Sequence, residues 1–326
     1  HGHDGIANNA GAVRIFSPTD LSEYAQSYSA FTSANHSFFG DSGNDSFGYD
    51  VAVGRSDTGH AFLAVGSVSD ETDAEDRIIN SGAVLLYRFD EADGFSLETS
   101  LGGLAAGSHF GESVAIAPAP TVDGEVRLLV TAARDNEYGP FVGRFFGVES
   151  PSGPLYPMAF PGESSGQRFG FGLTFLPDYE GGPAHLVIGA PRNPRAPNLT
   201  RIGEVWIYEG SSLSSAGGVP TATVDHSIDR NSSDFFGQAL AVLDFNGDGR
   251  TDLAVSAIGE ERPGNDAIQD FVKIGECERQ NSAGATYIYL DRDGVFSWDQ
   301  PDYVFYDKSN GGQSRVLDTG DFDGDG

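Results

Sequence analysis

Hydrophobic and polar positions along the chain alternate with a period of two, in short runs that come in sets of four. Phe-Gly opens each set, at Phe47-Gly48, Phe110-Gly111, Phe169-Gly170 and Phe236-Gly237, roughly every 60 residues. The first runs are Tyr49–Gly54, Glu112–Ala117, Phe171–Leu176 and Gln238–Leu243. Within them a large residue, a small one and a large one follow in order, as in Val51-Ala52-Val53, Val114-Ala115-Ile116, Leu173-Thr174-Phe175 and Leu240-Ala241-Val242. Alternation puts the large side chains on one strand face and the small ones on the other, so both faces need apolar cover. Second runs follow at Leu63–Ser67, Leu128–Ala132, Leu186–Ala190 and Leu253–Ala257, each ending in two small residues. Third runs begin with Gly, at Gly82–Tyr87, Gly143–Val148, Gly203–Tyr208 and Gly284–Tyr289, with an earlier one at Gly11–Phe16. Weaker fourth runs come at Phe95–Leu101, Leu155–Phe160, Thr221–His226 and Tyr303–Tyr306, with Asp93-Gly94 and Asp293-Gly294 as hairpin signals before two of them.

Four strands per repeat and no helical period predict an all-β chain, a β-propeller of four-stranded antiparallel blades. A β-sandwich does not require the same four-strand pattern at a fixed period. The chain is expected to be one propeller fragment, 1–326. Complete blades are expected over 45–103, 108–161, 166–228 and 234–308, with partial blades at 1–31, supplying two last strands, and at 312–326, where Gln313-Ser314 stands in place of Phe-Gly.

Phe-Gly, the alternating strand, Ile188-Gly189-Ala190-Pro191 and Gly203-Glu204-Val205-Trp206-Ile207-Tyr208 together resemble the FG-GAP repeat of integrin α subunits and of many bacterial secreted proteins. The GAP element departs to Gly66-Ser67, Thr131-Ala132-Ala133 and Ser256-Ala257-Ile258 in the other blades. The resemblance specifies fold more than function. It implies a secreted propeller; few lysines and many aspartates point to a bacterial or archaeal source.

Asp244-Phe245-Asn246-Gly247-Asp248-Gly249-Arg250-Thr251-Asp252 places side-chain oxygens at positions one, three, five and nine, with Gly at six. That order matches a calcium loop, in which six to eight oxygens at about 2.3–2.6 Å surround the ion. Asp244, Asn246, Asp248 and Asp252 are the expected ligands, with Arg250 contributing its main-chain carbonyl. An EF-hand would need Glu at position twelve, where Val255 stands on a strand. The family resemblance implies a calcium loop between the first and second strands of a blade, where this one falls. Asp321, Asp323 and Asp325 repeat the opening of the motif as an incomplete loop. The equivalent turns at Arg55–Ala61, Ala119–Val126 and Pro177–Ala184 lack the donors.

Acids at Asp70, Glu71, Asp73, Glu75 and Asp76 read as a solvated loop. Gly162-Glu163-Ser164-Ser165-Gly166 fits G-x-S-x-G but has no helix after it. Cys277 lies between Glu276 and Glu278, neighbours that keep a thiol protonated.

The chain carries 19 basic and 48 acidic residues, a net charge of −29, and its lysines are Lys273 and Lys308. Such a field opposes nucleic acids and anionic lipid headgroups. No apolar run is long enough to cross a membrane as a helix. These features imply an extracellular or cell-surface calcium-binding adhesion or ligand-binding module with no catalytic activity. The alternative is the propeller of a secreted enzyme of the polysaccharide lyase or phospholipase type, or a lectin-like propeller. A protein or glycan partner is expected on the face carrying the connections Ser69–Ser81, Arg192–Ile202 and Gly259–Ala283, as the integrin resemblance implies.

Overall fold

The computed structural model describes residues 10–16, 36–56, 58–70, 80–103, 105–118, 126–135, 142–148, 166–176, 185–193, 202–208, 222–225, 233–261, 283–293, 295–306 and 317. Every regular element among them is a strand. The first complete blade is a meander of β3 (Phe47–Arg55), β4 (Ala61–Ser67), β5 (Ala83–Asp90) and β6 (Gly94–Gly102), in that order. The second has β7 (Val114–Pro118), β8 (Val126–Ala132) and β9 (Arg144–Val148). The fourth run expected there, Leu155–Phe160, lies outside the described residues. The third blade is β10 (Gly172–Leu176), β11 (His185–Gly189), β12 (Glu204–Tyr208) and β13 (Ala222–Asp225). The fourth is β14 (Phe236–Leu243), β15 (Asp252–Ala257), β16 (Ala285–Tyr289) and β17 (Tyr303–Tyr306). All pairings within these sheets given by register are antiparallel. The fold is a β-propeller of four-stranded blades.

Ahead of them β1 (Ala12–Ile15) pairs with β2 (His36–Phe39), Val13 opposite Phe38. The second strand of this partial blade therefore lies beyond the expected boundary of 31. In His36-Ser37-Phe38-Phe39 the Phe38 ring packs 4.6 Å from that of Tyr87.

Two compact units divide the chain. One comprises 1–130 with 149–153, the other 131–148 with 154–326. Within each, one backbone device joins successive blades. In the first, the Phe47 amide donates to the Ala10 carbonyl and the Phe110 amide to the Ser81 carbonyl. In the second, Phe169 donates to Val142 and Phe236 to Ile202 in the same way. The glycine after each acceptor sits at positive φ against the incoming Phe. The Gly of Phe-Gly follows at a register shift in β3 and β14, which bends the strand into the blade.

A turn after each second strand repeats as well: Asp70, Asp135, Asn193 and Glu260 donate their amides to Ser67, Ala132, Ala190 and Ala257. Their side chains then latch the blade differently. Asp135 takes a buried ion pair from Arg144 at 2.6 Å, whereas Asn193 donates to Glu204. The fourth-blade core joins Leu240, Leu253, Val255, Tyr287 and Tyr289 to Leu176, Val187, Val205, Ile207 and Val224 of the third. Large residues thus cover the preceding blade as alternation requires. In the first blade the expected cover is missing: Val51 is 47% and Val53 77% exposed.

Candidate metal centre

The loop 244–252 bridges β14 and β15 in the second unit, and its carboxylates first of all organise its own backbone. Asp244 Oδ1 accepts the amides of Gly247 and Asp248 at 2.9 and 3.0 Å, and its Oδ2 accepts Gly249 at 2.7 Å. Asn246 Oδ1 accepts Asp248, and Asp248 Oδ1 accepts Arg250. Gly247 and Gly249 stand at φ +73° and +81° with open space around them, so the loop can coil around its first residue without meeting a neighbour. Phe245, at the second position, anchors the loop on β17 through Tyr303 and Phe305, 5.2 and 5.9 Å away.

Asp252 closes the loop from the first residue of β15. It is fully buried; Oδ2 accepts the Phe245 amide and Oδ1 the Asp291 amide, both at 2.8 Å. Burial pushes this carboxyl above its ordinary range, and the neighbouring charges of Asp248 and Asp244 push the same way. The Asn246 side chain, donating to Asp248, holds that exposed carboxyl below its ordinary range, aided by Arg250. Arg250 was expected to offer only its carbonyl. Its guanidinium also reaches Asp248 Oδ2 at 3.3 Å and Asp293 Oδ1 at 2.8 Å, tying the loop to the hairpin between β16 and β17.

The donor set fits a hard cation in type and order. Four oxygen-bearing side chains lie on one tight loop, and its buried carboxylate, Asp252, has the acidic neighbours Asp244 and Asp248. The side chains are not, however, gathered as a coordination shell: Asp248 is engaged by Arg250 and Asn246, and Asp252 by two amides. Among the described residues, the three carboxylates whose oxygens lie within 4.8 Å of one another are Asp41, Asp45 and Asp70. Asp45 is buried and accepts the Ser42 amide at 2.7 Å. In the sequence Asp70 reads as part of an acidic loop; the fold brings Asp41 and Asp45 to it. Asp321, Asp323, Asp325, Cys277 and most of the long connections after the second strands lie outside the described residues. No helix among the described residues is long and apolar enough to cross a membrane.

Residues 236–267, which include β14, β15 and the loop between them, match the FG-GAP repeat family. The human phosphatidylinositol-glycan-specific phospholipase D is 38% identical over 124 residues, which cover 34% of this chain and 14% of that enzyme. The bovine enzyme of the same name is 34% identical over 126 residues, covering 35% of this chain and again 14% of the enzyme. The matched stretch is thus about a seventh of these relatives' length. A crystal structure of a thermostable family-43 glycoside hydrolase aligns over 65% of this chain and 64% of its own, with 14% identity and a TM-score of 0.39. The expectation of a module without catalytic activity is overturned by the curated relatives, which are phospholipases D by name. Short alternating strands specify a scaffold and not the chemistry that accompanies it, which is why the sequence pattern misled on this point.

Proposed function

We propose that this chain is the FG-GAP propeller part of a larger extracellular enzyme of the phospholipase D type, acting on phosphatidylinositol-glycan anchors. The observation that carries the reading is the 38% identity over 124 residues to the human enzyme of that specificity. In this reading the loop 244–252 holds calcium through Asp244, Asn246, Asp248, Asp252 and the Arg250 carbonyl. Calcium would supply positive charge where burial and neighbouring acids leave Asp252 short of it, and would compete with Arg250 for Asp248. Its role is structural: Asp252 and Arg250 both connect the loop to the hairpin at Asp291 and Asp293. The glycan of the anchor is the partner assigned to the opposite end of the blades, where the connections after the second strands lie. The charge of −29 disfavours direct adhesion of the propeller to anionic bilayers.

The test is product analysis. The natural polypeptide containing this chain is incubated with vesicles that display a phosphatidylinositol-glycan-anchored protein. Hydrolysis between phosphorus and the inositol oxygen should release the protein and leave phosphatidic acid, measured by mass spectrometry. Diacylglycerol as the lipid product, or no release, would contradict the proposal.

A further inference from the structure

We infer that Asn246-Gly247 is a site of spontaneous covalent modification, at which the Gly247 main-chain nitrogen attacks the Asn246 carboxamide and ammonia leaves. Attack on an asparagine side chain by the next residue's nitrogen is least hindered where that residue is glycine, which has no β-carbon. The chain offers this pair at Asn246-Gly247 and at Asn310-Gly311, the second outside the described residues. At the first, nothing lies within 4 Å of where a Gly247 β-carbon would stand, and both residues are exposed.

The hydrogen bonds of the loop prepare that attack. The Asp248 amide donates to Asn246 Oδ1 at 3.0 Å, a bond that spans Gly247 and folds the carboxamide back over the Gly247 peptide. The same N–H, shared with Asp244 Oδ1 at 3.0 Å, stands where negative charge develops on the carboxamide oxygen as the tetrahedral adduct forms. The Gly247 N–H is aimed at Asp244 Oδ1, 2.9 Å away, so a carboxylate stands ready for the proton that the nucleophile loses. Asn246 Nδ2, the leaving nitrogen, donates to Asp248 Oδ2 at 2.9 Å. Nucleophile and electrophile are thus held on one turn, which lowers the entropic cost of bringing them together. The bond from Gly247 N to Asn246 Cγ forms as the Cγ–Nδ2 bond breaks; ammonia carries off the displaced nitrogen with the proton from Gly247, and a cyclic imide remains. Water then adds to one of the imide carbonyls. Opening at the side-chain carbonyl leaves aspartate on an intact backbone, and opening at the main-chain carbonyl leaves isoaspartate, whose backbone runs through the side chain. Asp248-Gly249 has the same spacing but resists the reaction. The Asn246 side chain, with Arg250, holds the Asp248 carboxyl below its ordinary range, and an ionised carboxylate is a poor electrophile. The consequence for the loop rests on the calcium reading above. Aspartate at this position adds a carboxylate to the donor set, and ligand charge count is one of the quantities that set calcium affinity. Isoaspartate inserts an extra carbon into the backbone between Asp244 and Asp248 and breaks their alignment.

The 326-residue chain is held at neutral pH in chelator, beside the same chain in urea. The peptide containing 244–252 is followed by mass spectrometry for the amide-to-acid mass change, and isoaspartate by enzymatic methylation. The expected result is conversion of Asn246 in the folded chain at least as fast as in urea, with Asp248 unconverted. Asp244→Asn keeps an acceptor for the Gly247 amide but removes the base, so it should slow conversion several-fold in the folded chain and leave the rate in urea unchanged. Gly247→Ala should slow it in both. Asn246 that stays intact in the folded chain while it converts in urea would overturn the inference, as would Asp244→Asn converting at the parent's rate. Calcium titration of the parent and of Asn246→Asp separates this inference from the reading it rests on. Asn246→Asp should bind several-fold more tightly, and equal affinities would overturn the gain assigned to the aspartate product. No heat of binding in either chain would overturn the calcium reading and that gain together, while conversion of Asn246 in chelator would still establish the modification site.

Discussion

The backbone oxygen of Phe236 lies 2.0 Å from the point where a β-carbon on Gly203 would stand, while the Phe236 amide donates to the Ile202 carbonyl at 2.8 Å. Gly203 holds φ +94°, a conformation that L side chains rarely adopt. Two independent penalties therefore meet at one residue, backbone strain and a clash with immobile main chain. Gly203→Ala should destabilise the chain by about 3 kcal/mol or prevent folding. Gly107→Ala is the control: its φ is +69° but nothing lies within 4 Å, so it should lose about 1 kcal/mol, both read from chemical denaturation.

That contact explains why Phe-Gly and the Gly opening each third strand were legible as a repeat. Close backbone approach admits no other residue at these glycines, so the pattern recurs in each of the four blades that Phe-Gly opens. The strands were legible for a related reason, since two buried faces force alternation between large and small residues. Cover was not legible. Val51-Ala52-Val53 reads like Leu240-Ala241-Val242, yet the first is open and the second packed, because burial depends on the neighbouring blade. Nor did spacing reveal the meeting of Asp41 and Asp45 with Asp70, which the blade-to-blade joint brings about. Charge spacing did locate the loop 244–252, but not the reach of Arg250 to Asp293.

Asp252 accepts two amides with its two oxygens, and Asn offers only one acceptor in their place. Asp252→Asn would also turn an amide group toward an N–H donor. The loss is expected to be about 1–3 kcal/mol, more than the relieved repulsion from exposed Asp248 returns. Hydrogen exchange of the Asp291 amide should accelerate in the variant and serves as the local check.

Tyr287 and Tyr289 are buried, and desolvation raises both phenols above the ordinary value of 10.0; Glu260 adds to the effect at Tyr287 and Asp302 at Tyr289. Phenols raised in the native state stabilise it fully below pH 10.0, and that contribution fades as pH rises through the native values, because the unfolded chain ionises first. Stability should fall steadily above about pH 10, with the phenolate absorbance of these two residues appearing together with unfolding. Tyr289→Phe should make the fall shallower. Free titration of all tyrosines in the folded chain would contradict the assignment.

The net charge of −29 makes the folded chain self-repelling at low ionic strength. Monovalent salt shortens the screening length from about 30 Å at 0.01 M to 3 Å at 1 M, so the thermal midpoint should rise over that range at constant calcium. A flat profile would show that the acids are neutralised locally.

Isothermal titration of the 326-residue chain with calcium bears most directly on the candidate centre. Binding is expected with Kd of roughly 10⁻⁴–10⁻³ M, the range of extracellular calcium modules. At millimolar calcium, mass action should then stabilise the fold by about 1 kcal/mol, seen as a higher thermal midpoint than in chelator. Asp248→Ala should remove both the heat of binding at this site and the calcium-dependent part of the midpoint shift, while leaving the midpoint in chelator nearly unchanged. Identical midpoints in calcium and chelator for the unaltered chain, with no heat on titration, would contradict the assignment of loop 244–252 as a calcium site.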